Sequence, residues 1–137
     1  MTGRIETRAL AIFLALHGLA HLAGTADAFD TAAAGGSATW LGDGVTVSDP
    51  ALLRVFGALW ALAAAAYLVT AVLVWRADGR WPRALAIVSG ASLVLVGVAL
   101  WASAIGLVID AVLLAVAAAA GRRAHPDLKG GGHAHAA

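Results

Sequence analysis

The chain has 137 residues, of which 61% are hydrophobic and 12% are charged, whereas about a quarter of the residues are charged in an average soluble domain. The mean hydropathy is +0.86. A net charge of +1 provides no clustered basic surface for nucleic acid. The absence of cysteine excludes disulfides, thiolate metal sites and cysteine nucleophiles. We therefore expect a membrane protein whose chemistry relies on oxygen and nitrogen groups.

The first apolar run, residues 8–28, follows two arginines and ends near two aspartates. About 20 apolar residues are enough to cross the hydrocarbon core of a bilayer, so this run is predicted to be the first transmembrane helix. A signal peptide cleaved at the Ala-Asp-Ala sequence of residues 26–28 is the alternative. His17 and His21 inside the run argue against cleavage, because signal peptides have a purely apolar centre.

Residues 28–50 are rich in glycine, aspartate and other turn-forming residues and are predicted to be an extracytoplasmic loop. Val45 to Val47 could form a short strand within this loop. A second apolar run, residues 51–75, contains a single charge near its start and is predicted to be the second helix.

The last apolar stretch, residues 84–120, is too long for one membrane crossing. As a single helix it would extend about 55 Å, against a hydrocarbon core of about 30 Å. The chain is therefore expected to turn back near Trp101 to Ala104, giving a third helix over 84–101 and a fourth over 104–121. The resulting prediction is an all-α, integral membrane four-helix bundle over residues 1–123.

The arginines indicate how this bundle is oriented. They cluster at the N-terminus, between the second and third helices, and after the fourth helix, whereas the first loop carries mainly aspartates. Because basic residues accumulate on the cytoplasmic side of membrane proteins, both termini are predicted to lie in the cytoplasm. The tail, residues 124–137, is glycine-rich and is expected to be disordered.

Three ionisable residues fall inside the predicted helices. His17 and His21 lie four residues apart and project from one face of the first helix. Asp110, in the fourth helix, is expected at a depth similar to that of His21. Ionisable groups inside a membrane are costly unless they find partners, so each indicates a functional site. We predict that these three form a catalytic cluster in the outer half of the bundle. The alternative is a purely structural cluster that fixes helix packing through hydrogen bonds.

Four further residues are predicted to bind a substrate beside this cluster. Trp60 and Tyr67 share one face of the second helix, and Ser103 shares the face of Asp110. Arg54 lies one turn inside the second helix and could either join the site or extend its charge to the interface. An apolar cavity with a few convergent polar groups is typical of a small-molecule site.

The sequence HGLAHLAG at residues 17–24, together with the turn from Trp101 to Gly106 before a polar residue, resembles small bacterial membrane proteins of the DoxX-like tetraspan type. This resemblance implies a four-helix fold in a bacterial inner (plasma) membrane and says little about function. In size and topology, the chain is also similar to small membrane-bound bacterial terpene cyclases, in which a buried acid protonates an isoprenoid. That similarity is one of architecture and rests on no shared motif.

Together these features favour an enzyme without a cofactor or bound metal, in which Asp110 acts as acid or base on a lipophilic, isoprenoid-like substrate. In this hypothesis His21 orients Asp110, and His17 relays protons behind it. The reaction would be a proton-initiated cyclisation or an isomerisation. Two alternatives remain open: a module that binds a metal, haem or quinone through His17 and His21, and a non-catalytic subunit of a homo-oligomer or membrane complex.

Overall fold

The structure is a computed structural model that describes residues 2–40, 44–98 and 104–124. The described part consists of four helices and one small β-hairpin, which confirms the predicted all-α bundle. Each helix is long and apolar enough to cross a membrane, so the chain is a multi-pass membrane protein in contact with lipid. The elements are α1 (Thr2–Ala33), β1 (Ala38–Trp40), β2 (Val45–Val47), α2 (Pro50–Trp75), α3 (Trp81–Val98) and α4 (Ala104–Ala124).

Each of the four helices extends beyond its predicted bounds at one end or both. α1 continues past Asp27 and Asp30 to Ala33. A helix can continue beyond the hydrocarbon core, where charged side chains are in contact with water. α3 begins at Trp81 rather than at residue 84, with Pro82 in its first turn, where a missing backbone N–H costs nothing. The predicted turn around Trp101 and the tail after Ala124 lie outside the described residues.

The segment between α1 and α2, predicted as a loop, contains an antiparallel hairpin in which Ala38 pairs with Val47. The short strand foreseen at Val45–Val47 is β2. The side chain of Val47 packs against Ala32 and Leu53, so the hairpin closes one end of α1 and α2. We call this end of the bundle the hairpin end.

α1 and α2 run in opposite directions and approach each other closely. A Cβ atom at Gly18 would lie 2.9 Å from the Cβ of Tyr67, and Gly24 contacts the ring of Trp60 in the same way. Small residues permit such backbone approach in membranes, where apolar burial gives little drive for helix association. At the other end, Arg8 stacks over the ring of Trp75, 5.5 Å from its centroid.

The turn between α2 and α3 lies at the end opposite the hairpin and carries Arg76, Arg80 and Arg83 at or near it. We call this the arginine end. The core of the bundle lies between the two ends and consists mainly of alanine, leucine and valine. Its largest fully buried side chains include Leu14, Tyr67, Val74 and Leu85, with Asp110 among them. Burial of a carboxyl group among apolar side chains is costly unless the group is hydrogen-bonded.

Candidate functional site

A cluster of buried polar side chains lies where the four helices meet. Every helix contributes at least one member, and each member is at most 9% exposed. Their side chains form two hydrogen-bonded sets, one around Asp110 and one around His21. The two sets touch where the ring of His21 contacts the rings of His17 and Tyr67. We call this set the polar cluster. Its members are His17, His21, Tyr67, Ser89, Ser92 and Asp110.

Asp110 is the centre of the polar cluster. Its Oδ1 atom accepts the hydroxyl of Tyr67 at 2.6 Å and lies 2.8 Å from Nε2 of His17. When Asp110 is ionised it can only accept, so the second contact is then a hydrogen bond donated by Nε2 of His17. A tyrosine hydroxyl has one hydrogen, so the 3.3 Å contact between Tyr67 and Ser89 is donated by Ser89.

The second oxygen of this carboxyl group, Oδ2 of Asp110, is buried and has no hydrogen-bond partner among the described residues. A neutral Asp110 would carry its proton there, as an unsatisfied donor. An ionised Asp110 would carry an unsatisfied charge there. Both states are costly in an apolar interior. The Oδ2 atom is therefore the position at which a proton acceptor, a cation or a polar ligand atom would be stabilised.

His21 lies beside Asp110 without a direct hydrogen bond to it. Its Nε2 atom is 3.3 Å from the hydroxyl of Ser92, and its ring lies nearly parallel to Tyr67 with centroids 5.3 Å apart. The ring of Trp60 covers it at 5.0 Å, and the ring of His17 meets it edge-on at 4.9 Å. Aromatic faces thus enclose the two imidazoles and hold their orientation.

The polar cluster also offers ligands for a metal ion. One nitrogen from each of His17 and His21 and one carboxylate oxygen of Asp110 lie within 4.8 Å of one another. Two imidazoles and one carboxylate are the ligand set of many transition-metal sites. The three ligand atoms lie up to 4.8 Å apart, which is farther than two atoms that each lie about 2.1 Å from the same tetrahedral ion. Binding would therefore require the side chains to move closer together.

An apolar groove of about 820 Å³ lies between α2 and α3, on the outside of the polar cluster. Its walls carry exposed apolar side chains, including Leu62, Val69 and Ile87. Two hydroxyl residues, Thr70 and Ser92, lie among its lining residues. The hydroxyl of Thr70 is already donated to the carbonyl of Ala66. Of these two hydroxyl residues, only Ser92 has a described hydrogen bond to another member of the polar cluster, which is its bond to His21.

The structure brings most of the sequence-predicted site residues together. His17, His21, Tyr67 and Asp110 belong to the polar cluster, and Trp60 contacts it through His21. The pairing differs from the expectation, because His17 rather than His21 bonds to Asp110. The depth of a residue along its helix can be counted from the sequence. The rotation of α1 about its axis, which decides which imidazole faces α4, cannot be read from the sequence.

Arg54 lies apart from the cluster. Its side chain is exposed near the start of α2, and no hydrogen bond or ion pair in the described part of the chain connects it to the polar cluster. This placement fits the alternative in which its charge extends to the interface. Ser103, the remaining predicted substrate-binding residue, lies outside the described residues.

The placement of the site in the outer half of the bundle stays a prediction. Ser89 lies eight residues after the start of α3 and nine before its described end. Ser89 and Ser92 were not among the predicted site residues, although their spacing of three residues puts both on one face of a helix. Two serines on the same face of an otherwise apolar helix are the signal that could have identified them.

No protein-family model, curated protein or solved structure matches the chain. The resemblance to DoxX-like tetraspans and to terpene cyclases therefore stays a prediction. Function has to be inferred from the polar cluster and the groove beside it.

Proposed function

We propose that the protein is an enzyme of a bacterial inner membrane that performs acid–base chemistry on a lipophilic, isoprenoid-like substrate. The observation that carries the proposal is the position of Ser92, which lines the apolar α2–α3 groove and hydrogen-bonds to His21 of the polar cluster. The proposed orientation has both termini in the cytoplasm, as the arginine distribution favours.

The α2–α3 groove is the proposed binding site. Its volume of about 820 Å³ falls within the roughly 300–1,000 Å³ typical of small-molecule pockets. Because its walls are almost entirely apolar and face the lipid, a hydrophobic substrate can enter from the bilayer without crossing water. A substrate that fills the groove would contact Ser92, with His21 and Asp110 directly behind it.

The polar cluster supplies both an acid and a base. In the proposed reaction, the cluster gives a proton to one carbon of a substrate double bond and takes a proton from the saturated carbon bonded to the other alkene carbon, so the double bond moves by one position and no co-reactant is consumed. The hydroxyl of Ser92 can pass a proton in either direction, because a hydroxyl both donates and accepts and this one lies 3.3 Å from Nε2 of His21. A proton-initiated cyclisation of the same class of substrate uses the same groups.

The test is conversion of a membrane lipid by the purified protein. Total lipid extract is incubated with wild-type protein and resolved by liquid chromatography and mass spectrometry, and we expect one species to yield an isomer of equal mass and different retention. Asp110→Asn should abolish the conversion, since removal of a catalytic acid or base typically costs at least about a hundredfold in rate.

Asp27→Asn serves as the matched control, because it makes the same chemical change at an exposed position of α1 that lines neither cavity. The control should convert lipid at the wild-type rate. Equal conversion by wild type and Asp110→Asn would contradict the proposal and favour a structural role for the polar cluster.

A metal centre is the second candidate function, favoured by the close approach of His17, His21 and Asp110 and by the unpartnered Oδ2 atom. The test is elemental analysis of protein purified without metal-affinity steps. His133 and His135 are first replaced by alanine to remove adventitious binding to the tail. About one equivalent of zinc, iron or manganese, lost in His17→Ala, would support the metal centre. A metal-free protein that converts lipid would exclude it.

A further inference from the structure

A second cavity, of about 910 Å³, lies at the arginine end of the bundle. It shares Val69, Ala84 and Ile87 with the α2–α3 groove, so the two cavities adjoin at these residues. We call the two cavities together the channel. The shared residues are small or apolar and leave the passage hydrophobic. The channel therefore runs from a cationic end to Ser92 without a polar interruption at the junction.

Two arginines line the cationic end of this channel, and they differ in availability. Arg80 is engaged by Asp78, which accepts two hydrogen bonds from its guanidinium group. Arg83 is exposed, and the part of the chain that the structure describes offers it no ion pair. A guanidinium group at a membrane interface is well suited to bind a phosphate through two parallel hydrogen bonds.

We propose that this channel binds a single-chain membrane amphiphile whose anionic phosphate head is held by Arg83 while its hydrocarbon chain extends along α3 to Ser92. The proposal deepens the proposed function by naming its substrate class, and it rests on that function only for the chemistry at Ser92. The charge of Arg83 complements the head, and the apolar junction at Ala84 and Ile87 complements the chain.

The spacing of the two ends fixes where along the chain the reaction occurs. Arg83 and Ser92 are nine residues apart on one helix, which corresponds to a rise of about 14 Å and to half a turn around the helix, so the chain passes around α3 by way of Ile87 and Ala84. The reacting carbon therefore lies in the interior of the chain and not beside the phosphate. Chains too short to reach Ser92 are expected to bind at Arg83 without being converted.

The binding test uses farnesyl phosphate and farnesol, which share one chain and differ in the head. Affinities for purified protein in neutral detergent are measured by titration calorimetry. We expect the phosphate to bind at least about tenfold more tightly, as one charge-assisted contact provides. Arg83→Gln should remove this difference and leave farnesol binding unchanged. Arg76→Gln, which removes an exposed arginine from the same end but outside the channel, should preserve it.

A second pair of variants tests the path of the chain. Ala84→Leu fills the junction shared by the two cavities and should weaken binding of both farnesyl compounds. Ala111→Leu makes the same change on the exposed face of α4, outside both cavities, and should bind as wild type does. Thermal unfolding of each variant confirms that the bundle is intact.

Three results would overturn the proposal: equal affinity for farnesyl phosphate and farnesol in the wild type, full phosphate preference in Arg83→Gln, or inorganic phosphate binding as tightly as farnesyl phosphate. The last would identify a general anion site instead of a lipid site. Failure of the proposed function is distinguishable from these outcomes, because Asp110→Asn would then bind and convert lipids as the wild type does.

Discussion

At the scale of single residues, the contacts of Asp110 explain why a carboxyl group can occupy the centre of an apolar bundle. One oxygen of the ionised group accepts two hydrogen bonds, from Tyr67 and His17, while the other has no partner among the described residues. A cluster selected only for stability would gain by pairing both oxygens or by replacing the acid with an apolar residue. The half-satisfied carboxyl group therefore supports the proposed acid–base role.

Tyr67→Phe should lower the free energy of unfolding by about 1–2 kcal/mol, because it removes the donor closest to Asp110 while preserving the aromatic ring. Ser89→Ala is the matched control. Its hydroxyl is 3.3 Å from Tyr67 and does not contact Asp110 in the described hydrogen bonds, so its loss should matter less. Unfolding in mixed micelles measures both. A Tyr67→Phe variant as stable as wild type would contradict the central position assigned to this hydroxyl.

Asp78 provides a pH prediction outside the membrane-spanning helices. Hydrogen bonds from the side chain and backbone of Arg80 lower the pKa of Asp78 from 3.8 to about 2. A lowered pKa in the folded state means that the ion pair contributes to stability above pH 3.8 and that this contribution is lost as pH falls toward 2. Arg80→Gln should raise the pKa of Asp78 toward 3.8. Carboxyl chemical shifts measured against pH would show this, and an unchanged pKa would contradict the ion pair.

At the scale of helices, the α1–α2 contact depends on residues without side chains. At Gly18, an added Cβ would lie 2.9 Å from the Cβ of Tyr67 and 3.1 Å from the carbonyl oxygen of Ala64. Neither neighbour is the flexible end of a side chain, so relief requires the helices to separate. Because Gly18 is adjacent to His17, such a separation would also disturb the polar cluster.

Gly18→Ala is therefore expected to destabilise the protein by about 1–3 kcal/mol, the usual cost of overpacking a tight contact. Gly90→Ala is the control, since nothing lies within 4 Å of the added Cβ. There the better helix propensity of alanine should stabilise the fold by up to about 1 kcal/mol. Equal effects at the two glycines would contradict the close approach of α1 and α2.

The sequence predicts the helices well because the physical signal is local. Apolar runs of sufficient length indicate spans, and the length of the 84–120 stretch requires a turn back. The cluster was predicted from the cost of burying His17, His21 and Asp110, which is also a local property. Which imidazole bonds to Asp110, and that Arg54 lies apart, depend on helix rotation and packing. These are set by contacts such as Gly18 against Tyr67, which are distant in sequence.

At the scale of the whole molecule, the bundle behaves as two helical hairpins joined along the α2–α3 boundary. α1 packs closely on α2, and α3 packs on α4, whereas the boundary between α2 and α3 leaves the groove open to lipid. The polar cluster connects the two hairpins across this boundary, through His17 and Tyr67 on one side and Asp110 on the other. This division places the proposed binding site beside the proposed acid and base.

The orientation of the bundle can be tested directly, because the sequence contains no cysteine. Thr46→Cys lies in the hairpin and Gly79→Cys in the turn at the arginine end, and both positions are exposed. A membrane-impermeant maleimide applied to intact cells should label Thr46→Cys alone, since the positive-inside rule puts the arginines in the cytoplasm. Lysed cells should show labelling of both variants. Labelling of Gly79→Cys alone in intact cells would reverse the orientation.

The most direct test of the acid–base site is deuterium exchange into lipid. Purified protein is incubated with membrane lipid extract in D₂O, and carbon-bound deuterium is measured by mass spectrometry after back-exchange of hydroxyl and amine positions in ordinary water. We predict that one lipid species gains deuterium with the wild-type protein and not with Asp110→Asn, because the carboxyl group that exchanges with solvent also donates to carbon. No enrichment of any lipid, or equal enrichment with both proteins, would contradict acid–base catalysis by this cluster.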